Sequence, residues 1–270
     1  MALELELIAA PDVPLEAEAI SPDRLAGLSA AEVARQSVLH GNATAELGAF
    51  FKIAGKPNGE IRVSGDLSRV KMIGAGMSGG RIVVEGDVGP HLGMAMRGGA
   101  IVVNGNTGDW LGPEMSGGRI LVTGDAGHTV GAAYRGSRIG MRGGQIIVHG
   151  KAGNEIGNAM RNGLIAIGGD CGDFAGVNML AGTIIVLGQL GWRAGAGMKR
   201  GSIVAMHDAP VLPTFSYACV FQPTYLRLYL RHLRDLGLPI EGTHIDGHYR
   251  RWSGDSVEIN RGEILVLDRG

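Results

Sequence analysis

Glycine recurs in this chain at fixed positions of a repeating unit, and that register limits the fold more than any other feature. From Arg81 the chain reads RIVVEGDVGPHLGMAMRGG and from Ala100 AIVVNGNTGDWLGPEMSGG; after a longer unit from Arg119 come QIIVHGKAGNEIGNAMRNG, LIAIGGDCGDFAGVNMLAG and TIIVLGQLGWRAGAGMKRG. The regular unit is 19 residues; the unit from Glu60 is two residues longer and that from Arg119 seven longer. Seven units therefore fill residues 60–201, and Ile203 and Val204 open an eighth. Glycine supplies 47 of 270 residues, against roughly 7% in an average protein. Ordered recurrence at this density marks a solenoid rather than a low-complexity segment.

Numbering each regular unit from 1 to 19 exposes its logic. Position 2 is Ile61, Ile82, Ile101, Ile120, Ile146, Ile165 and Ile184, and position 4 is valine or isoleucine from Val63 to Val186. Branched residues two apart read as a strand with one face inward. Glycine stands at position 6 (Gly65 to Gly188) and position 19 (Gly80 to Gly201), and after the first unit also at positions 9 and 13. Such sites suit turns with positive φ or backbones too close for a Cβ. The expected fold is all-β: a right-handed parallel β-helix of seven coils, like residues stacked about 4.8 Å apart. A β-sandwich would show strand spacings of about 8–12 residues without fixed register. Met77, Met96, Met115, Met141, Met160, Met179 and Met198 occupy one equivalent site per coil. Thioethers bind soft metals but also fill irregular core gaps, and no His or Cys ladder accompanies these, so core filling is the reading.

Solenoid ends need covers, which divides the chain into a cap at 1–59, the repeats at 60–204 and an extension at 205–270. Ser29-Ala-Ala-Glu32 is a capping box predicting a helix through about Leu39 that stops at Gly41-Asn42. Thr224 is expected to N-cap a second helix running to Leu236, with Gly237 as its stop. Leu226, Leu230 and Leu233 share one face of it, and Arg227, Arg231 and Arg234 another. Ile264–Leu267 reads as a terminal strand.

The residues assemble no recognisable catalytic constellation. Gly74-Ala-Gly76-Met-Ser-Gly79 has GxGxxG spacing but precedes a strand, whereas a dinucleotide fingerprint opens a helix. His244, Asp246 and His248 are three metal-ligating residue types within five positions, in a glycine-containing turn with no fourth ligand nearby in sequence; surface turn residues are the plainer reading. Cys171 sits where other coils carry Val88, Ala126 and Leu190, the place of a buried inert thiol. Two cysteines cannot build a disulfide framework. Acidic residues show no pair at fixed positions for general acid–base work. Lys plus Arg is 25 and Asp plus Glu 26, which argues against a globally electrostatic nucleic-acid binder. The start lacks a basic stretch before an apolar run, and no apolar segment approaches the roughly 20 residues of a membrane span. A cytoplasmic protein with no membrane contact is expected.

Two surface rows stand out. Position 3 is Val83, Val102, Leu121, Ile147, Ala166, Ile185 and Val204; alternation points it outward, so it needs cover from a terminal extension or from another protein. Position 17 carries Arg97, Arg142, Arg161 and Lys199, with Arg200 adjacent. This basic edge is either a solvated face or a track for an elongated anion with several carboxylates.

The repeat G-x-x-M-x-x-G-x-I-x-V-x-G, as in Gly93-Met-Ala-Met96-Arg-Gly-Gly99-Ala-Ile101-Val-Val103-Asn-Gly105, resembles the C subunits of formylmethanofuran dehydrogenase and of its bacterial counterpart, the formyltransferase/hydrolase complex of methylotrophs. It is more distantly similar to the C-terminal β-helix domain of the glutamate synthase large subunit. The resemblance implies a structural subunit with no catalytic residue or metal of its own. Its partners would be an amidohydrolase-like hydrolase, a formyltransferase and a dehydrogenase-B-like subunit. Those subunits would move a formyl group from tetrahydromethanopterin to a methanofuran-type cofactor and hydrolyse it to formate. That cofactor's oligoglutamyl arm gives Arg97, Arg142, Arg161, Lys199 and Arg200 a ligand to guide. The alternatives are the C subunit of a molybdenum or tungsten formylmethanofuran dehydrogenase, or a glutamate-synthase-like domain. A free-standing polysaccharide-active enzyme would need an acidic cluster on one face, which the sequence lacks. The insertion around Tyr134–Arg138 departs from the regular repeat.

Overall fold

Each unit contributes one strand, and the strands pair in the register that the glycines set. In the computed structural model, which describes residues 2–270, the stacked strands are β6 (Glu60–Ser64), β8 (Arg81–Glu85), β9 (Ala100–Asn104), β10 (Arg119–Val122), β11 (Gln145–Val148), β12 (Leu164–Ile167), β13 (Thr183–Val186) and β14 (Arg200–Ala205). All are parallel, and Ile61, Ile82, Ile101, Ile120, Ile146, Ile165, Ile184 and Ile203 lie side by side. A second parallel ladder runs through position 8 as Leu67, Val88, Thr107, Ala126, Ala152, Cys171 and Leu190. Main-chain bonds join successive coils elsewhere too: Gly112 N–H donates to Leu92 O at 2.8 Å, and Arg142 N–H to Met115 O at 2.7 Å. The result is a mostly β, β-helix-like stack whose polar backbone is satisfied from coil to coil.

The interior is lined by positions 2, 4, 12 and 16 of each coil, including the buried Leu92, Leu111, Val130 and Ile156 at position 12. All seven ladder methionines are fully buried, in keeping with core filling. Two glycine positions are fixed by these contacts. A Cβ on Gly118 would lie 2.6 Å from Met96 Cε, and the residue has φ +84°. A Cβ on Gly131 would lie 2.7 Å from Ile165 Cδ1, at φ +65°. Positions 19 and 13 thus combine a left-handed backbone with a core side chain from another coil occupying the space a Cβ needs.

At the first-coil end, β1 (Leu3–Leu7) pairs parallel to β6 and antiparallel to β5 (Phe51–Ala54). A small four-stranded sheet is formed by β2 (Leu15–Glu16), β3 (Ser37–His40), β4 (Ala43–Glu46) and β7 (Val70–Lys71). Helices α1 (Pro22–Leu25) and α2 (Ala30–Ala34) join these strands. The capping box is present: Ser29 Oγ accepts from Glu32 N–H and the Glu32 carboxylate accepts from Ser29 N–H. The helix expected through Leu39 nevertheless ends at Ala34. Ser37–His40 is instead β3, paired with β2 and β4, and Gly41-Asn42 forms a hairpin turn with Gly41 at φ +59°.

At the other end, β17 (Arg261–Leu267) continues the parallel stack beside β14 and contains the expected terminal strand. Antiparallel β16 (Tyr249–Gly254) and β15 (Ser216–Phe221) follow it, giving a 13-stranded sheet in all. Helix α3 (Leu226–Asp235) starts with Tyr225 in the N-cap position and no side-chain cap, so Thr224 does not serve as the expected cap. Gly237, at φ +91°, does stop it: Leu238 N–H donates to Leu233 O and Gly237 N–H to Arg234 O, a Schellman arrangement.

The packing distinguishes one glycine from another. Gly118→Ala is expected to lose about 2–3 kcal/mol, from strain at positive φ plus a clash with Met96. Gly79→Ala, where a Cβ meets nothing within 4 Å and φ is not positive, is expected to be neutral or slightly stabilising. Urea unfolding midpoints of the two variants read the difference.

Candidate functional site

Stacking brings the position-17 cations onto one edge. Arg97 N–H donates to Met77 O, Arg142 to Met115 O, Arg161 to Met141 O and Lys199 to Met179 O, each at 2.7–2.8 Å. These side chains and Arg200 are all exposed. Arg97 also reaches Gly76 O at 3.3 Å, and Lys199 lies 3.6 Å from a Glu258 carboxylate oxygen. Arg142, Arg161 and Arg200 have no ion pair among the described residues. Three of the five (Arg161, Lys199 and Arg200) border one shallow pocket of about 310 Å³ with Leu180, Ala181 and Ile259. The row ends at Ser78, whose backbone and hydroxyl are held by Asp23 of α1.

The outward apolar row is buried toward both of its ends, starting with Val83 at the first-coil end, and half-buried between them. Ile147, Ala166, Ile185 and Val204 are fully buried in a second core together with Leu226, Leu230 and Leu233 of α3 and with Leu238, Ile240 and Tyr249. The chain's own C-terminal extension therefore covers these coils. Val102 and Leu121 remain half-buried, Leu121 at the margin of that second core.

A further pair of rows escaped the sequence reading. At position 7, Asp87 Oδ1 accepts from Asn106 N–H at 2.7 Å, Asn106 Oδ1 from Asp125 N–H at 2.8 Å, and Asp125 Oδ1 from Lys151 N–H at 2.7 Å. At position 10, Asp109 Oδ1 accepts from His128 N–H at 2.7 Å, His128 Nδ1 from Asn154 N–H at 2.9 Å, and Asp173 Oδ1 from Trp192 N–H at 2.8 Å. Acid, amide and imidazole alternate because each supplies the same thing, an acceptor for the N–H of the next coil. The signal was an acceptor-bearing side chain at constant spacing rather than a constant residue. Each of these carboxylates holds the backbone of the next coil through its Oδ1.

His244, Asp246 and His248 do not converge. Gly242–Asp246 is a short helix, α4, rather than the expected turn. His244 is buried in it, its Nδ1 accepting from Glu241 N–H at 3.1 Å, and burial holds its pKa below the usual value. Asp246 is paired with Arg227 at 3.1 Å, and His248 is exposed. They border a cleft of about 1010 Å³ together with His207 and Arg269. No group of three or more His, Cys, Asp or Glu among the described residues is placed to hold a metal ion. Gly74–Gly79 lies in the turn before β8, where no helix follows. Around the insertion, Tyr134 stacks on Trp110 with centroids 4.8 Å apart, and its hydroxyl lies 2.7 Å from His91 Nδ1. Among the described residues no helix is long and apolar enough to cross a membrane.

The fold and its surfaces define a repeat-built β protein whose ordered polar side chains serve the stack. Residues 85–212 match the GXGXG motif family. Over 83 residues the chain is 48% identical to the C subunit of molybdenum-containing formylmethanofuran dehydrogenase 1 from Methanothermobacter thermautotrophicus, covering 30% of this chain and 21% of that protein. Over 88 residues it is 40% identical to the C subunit of the tungsten-containing formylmethanofuran dehydrogenase 2 of the same organism, covering 31% of this chain and 33% of that protein. The matches thus span a fifth to a third of the curated relatives. A chain in the crystal structure of the formyltransferase/hydrolase complex (FhcABCD) from Methylorubrum extorquens, in complex with methylofuran, is similar throughout. Its TM-score is 0.92 at 34% identity, over 98% of this chain and 100% of that chain. The chain belongs to the C-subunit family that formylmethanofuran dehydrogenases share with the formyltransferase/hydrolase complex.

Burial and the neighbouring Asp173 push the Cys171 thiol up to about 12, while Cys219 is exposed. Iodoacetamide at pH 8 is expected to alkylate Cys219 and leave Cys171 unmodified until denaturant is added, as read by peptide mass spectrometry.

Proposed function

We propose that this chain is the non-catalytic, cytoplasmic structural subunit of a formyltransferase/hydrolase complex. In this reading the partners are an amidohydrolase-like hydrolase, a formyltransferase and a dehydrogenase-B-like subunit. They transfer a formyl group from tetrahydromethanopterin to the amine of a methanofuran-type cofactor and hydrolyse it to formate. The observation that carries the reading is the extent of the likeness to the Methylorubrum chain, 98% of this chain and all of that one. It includes both terminal extensions, whereas the formylmethanofuran dehydrogenase subunits align over less than a third of this chain. The stack is a right-handed parallel β-helix over 60–204, with a cap at 1–59 and an extension at 205–270. The handedness is supported by the strong right-handed preference of connections between parallel strands of one sheet.

The second reading, the C subunit of a molybdenum or tungsten formylmethanofuran dehydrogenase, is favoured by the 48% identity to the archaeal protein. Purification of the tagged chain from its native cells separates the two. Co-elution of an amidohydrolase-like chain and a formyltransferase, without molybdenum or tungsten, is the expected result. A molybdenum- or tungsten-bearing chain would move the assignment to the redox complex, and a chain that elutes alone would remove both.

Within the complex, Arg97, Arg142, Arg161, Lys199 and Arg200 guide the oligoglutamyl arm of the cofactor. Support comes from their alignment on one edge, from the absence of ion pairs at three of them, and from the methylofuran held by the similar complex. Exchanging the five for glutamine is expected to raise KM for the full-length cofactor by roughly fivefold or more at low salt, with much less effect in high salt, where exposed charges are screened over about 3 Å at 1 M. An unchanged KM in the intact complex would sink the arm hypothesis and leave a solvated basic face.

A further inference from the structure

The cleft of about 1010 Å³ beside α4 opens at the carboxyl ends of four neighbouring parallel strands. Gly168 follows β12 there, Leu187 follows β13, His207 comes just after β14, and Asp268 and Arg269 follow β17. The repeat is broken at this end of the stack. All seven earlier coils carry glycine at position 6, from Gly65 to Gly188, and the eighth carries His207. That exchange puts an imidazole on the wall of the cleft.

A second imidazole and a guanidinium border the same cleft. Arg269 Nη2 donates to Met206 O at 2.9 Å and to His207 Nδ1 at 3.2 Å. Arginine has only donors, so His207 Nδ1 accepts and the ring proton sits on Nε2. In α4, His244 Nδ1 accepts from Glu241 N–H at 3.1 Å, which sets the same tautomer. The Nε2 atoms of both rings have no hydrogen-bond partner among the described residues, yet neither is sealed from solvent. Nor do Arg269 Nε and Nη1 have one, and Arg269 makes no ion pair among the described residues. Burial chiefly, then Arg269 and His207, hold His244 below its usual pKa against the pull of Glu241, so the ring stays neutral and keeps its donor. The wall therefore presents several N–H donors that the chain itself does not satisfy.

The carboxylates that border the cleft are already engaged. Asp246 pairs with Arg227 at 3.1 Å and Asp268 with Arg250 at 3.7 Å. Glu241 accepts from the Thr243 hydroxyl at 3.2 Å and offsets the charge of Arg269. The cleft thus suits a single anionic group, in contrast to the string of cations along the basic edge. Leu187, Pro239 and Leu267 give it an apolar side. We propose that this cleft binds a small organic anion, whose carboxylate or phosphate accepts from Arg269, His207 Nε2–H and His244 Nε2–H while its apolar body lies against Leu187, Pro239 and Leu267. An apolar wall with a few placed donors is the usual make-up of a small-molecule site. The proposal concerns the end structure of this chain alone and stands apart from the complex-subunit reading.

The test is imidazole nitrogen NMR on the full chain, titrated with benzoate, with phenyl phosphate and, as the uncharged match, with benzyl alcohol. The free chain is expected to show His207 and His244 as Nε2–H tautomers. Benzoate or phenyl phosphate is expected to shift both Nε2 resonances saturably, and the tighter of the two tells whether the head group is a carboxylate or a phosphate. Arg269→Gln is expected to weaken that binding about tenfold, as for the loss of one charged hydrogen-bond partner. His207→Gly, which restores the residue of the other coils, is expected to weaken it as well. Because Arg269 is exposed, its variant should melt with the unaltered chain, which separates binding from folding. Benzyl alcohol bound as tightly as both anions would reduce the site to an apolar cleft and overturn the proposal. So would Nδ1–H tautomers in the free chain, the lack of any saturable shift with either anion, or binding undiminished by Arg269→Gln.

Discussion

Everything else in this structure depends on one close approach, that of a core side chain to a glycine in another coil. Main-chain hydrogen bonds hold successive coils about 4.8 Å apart, so wherever the chain turns, two coils compete for the space a Cβ would fill. At positions 13 and 19 the structure resolves the competition the same way in coil after coil. Met77 Cε packs where Gly99 would carry its Cβ, Met115 where Gly144 would, and Met160 where Gly182 would. Across the core the same arrangement joins Ile120 to Gly93, Ile146 to Gly112 and Ile184 to Gly157. Each coil is thus keyed to its neighbours at two separate places. A register slip would set isoleucine or methionine against a Cβ-bearing residue instead of glycine, so the same contacts that fill the core also exclude the alternatives.

This keying explains which parts of the fold were legible in the sequence. Ile61 through Ile203, the methionine row and the two glycine rows repeat because each coil meets the same steric demand, and repetition shows in a single sequence. The ends obey no such rule. Ser29 and Glu32 do cap a helix, but whether Ser37–His40 extends it or becomes β3 depends on pairing with Leu15–Glu16, which local propensity does not encode. Likewise the apolar row at position 3 announced that it needed a cover. That α3 supplies it over Ile147 to Val204 follows from long-range packing. The acceptor rows at positions 7 and 10 were missed for a third reason: Asp87, Asn106 and His128 share a hydrogen-bonding role rather than an identity, and a search for identical residues passes over them.

The division of labour within a coil bears on function. Positions 2, 4, 12 and 16 fill the core, and 13 and 19 permit the turns. Positions 7 and 10 tie side chains to the next coil's backbone. The titratable groups nearest to chemistry are engaged in structure: Asp173 holds Trp192 N–H, His244 caps its own helix, and the Cys171 thiol is raised by burial. The positions left free are those whose side chains leave the stack, chiefly 3 and 17. One is apolar and mostly covered by the chain itself, while the other is basic and exposed. A protein of this kind acts through its surfaces, and it can vary them coil by coil without touching the contacts that set the register.

The solenoid also converts sequence spacing into distance along one line. Residues 19 apart in sequence become neighbours about 5 Å apart in space. Arg142 and Arg161, 19 residues apart, are one such step apart by the pairing of β11 with β12, and the seven-residue insertion is looped out between Arg97 and Arg142. Arg97 stands two coils from Arg142, and Lys199 two coils from Arg161, so the cations fall at about 10, 5 and 10 Å along the edge. Such spacing suits a flexible chain of carboxylates better than a compact anion. A compact ligand needs its charges gathered in one pocket with buried donors, and these side chains are exposed and strung out. On the proposed reading of this edge as a guide for a cofactor arm, the uneven steps, with Ser116 and Leu180 between the cations, hold a polyanion loosely enough to let it move.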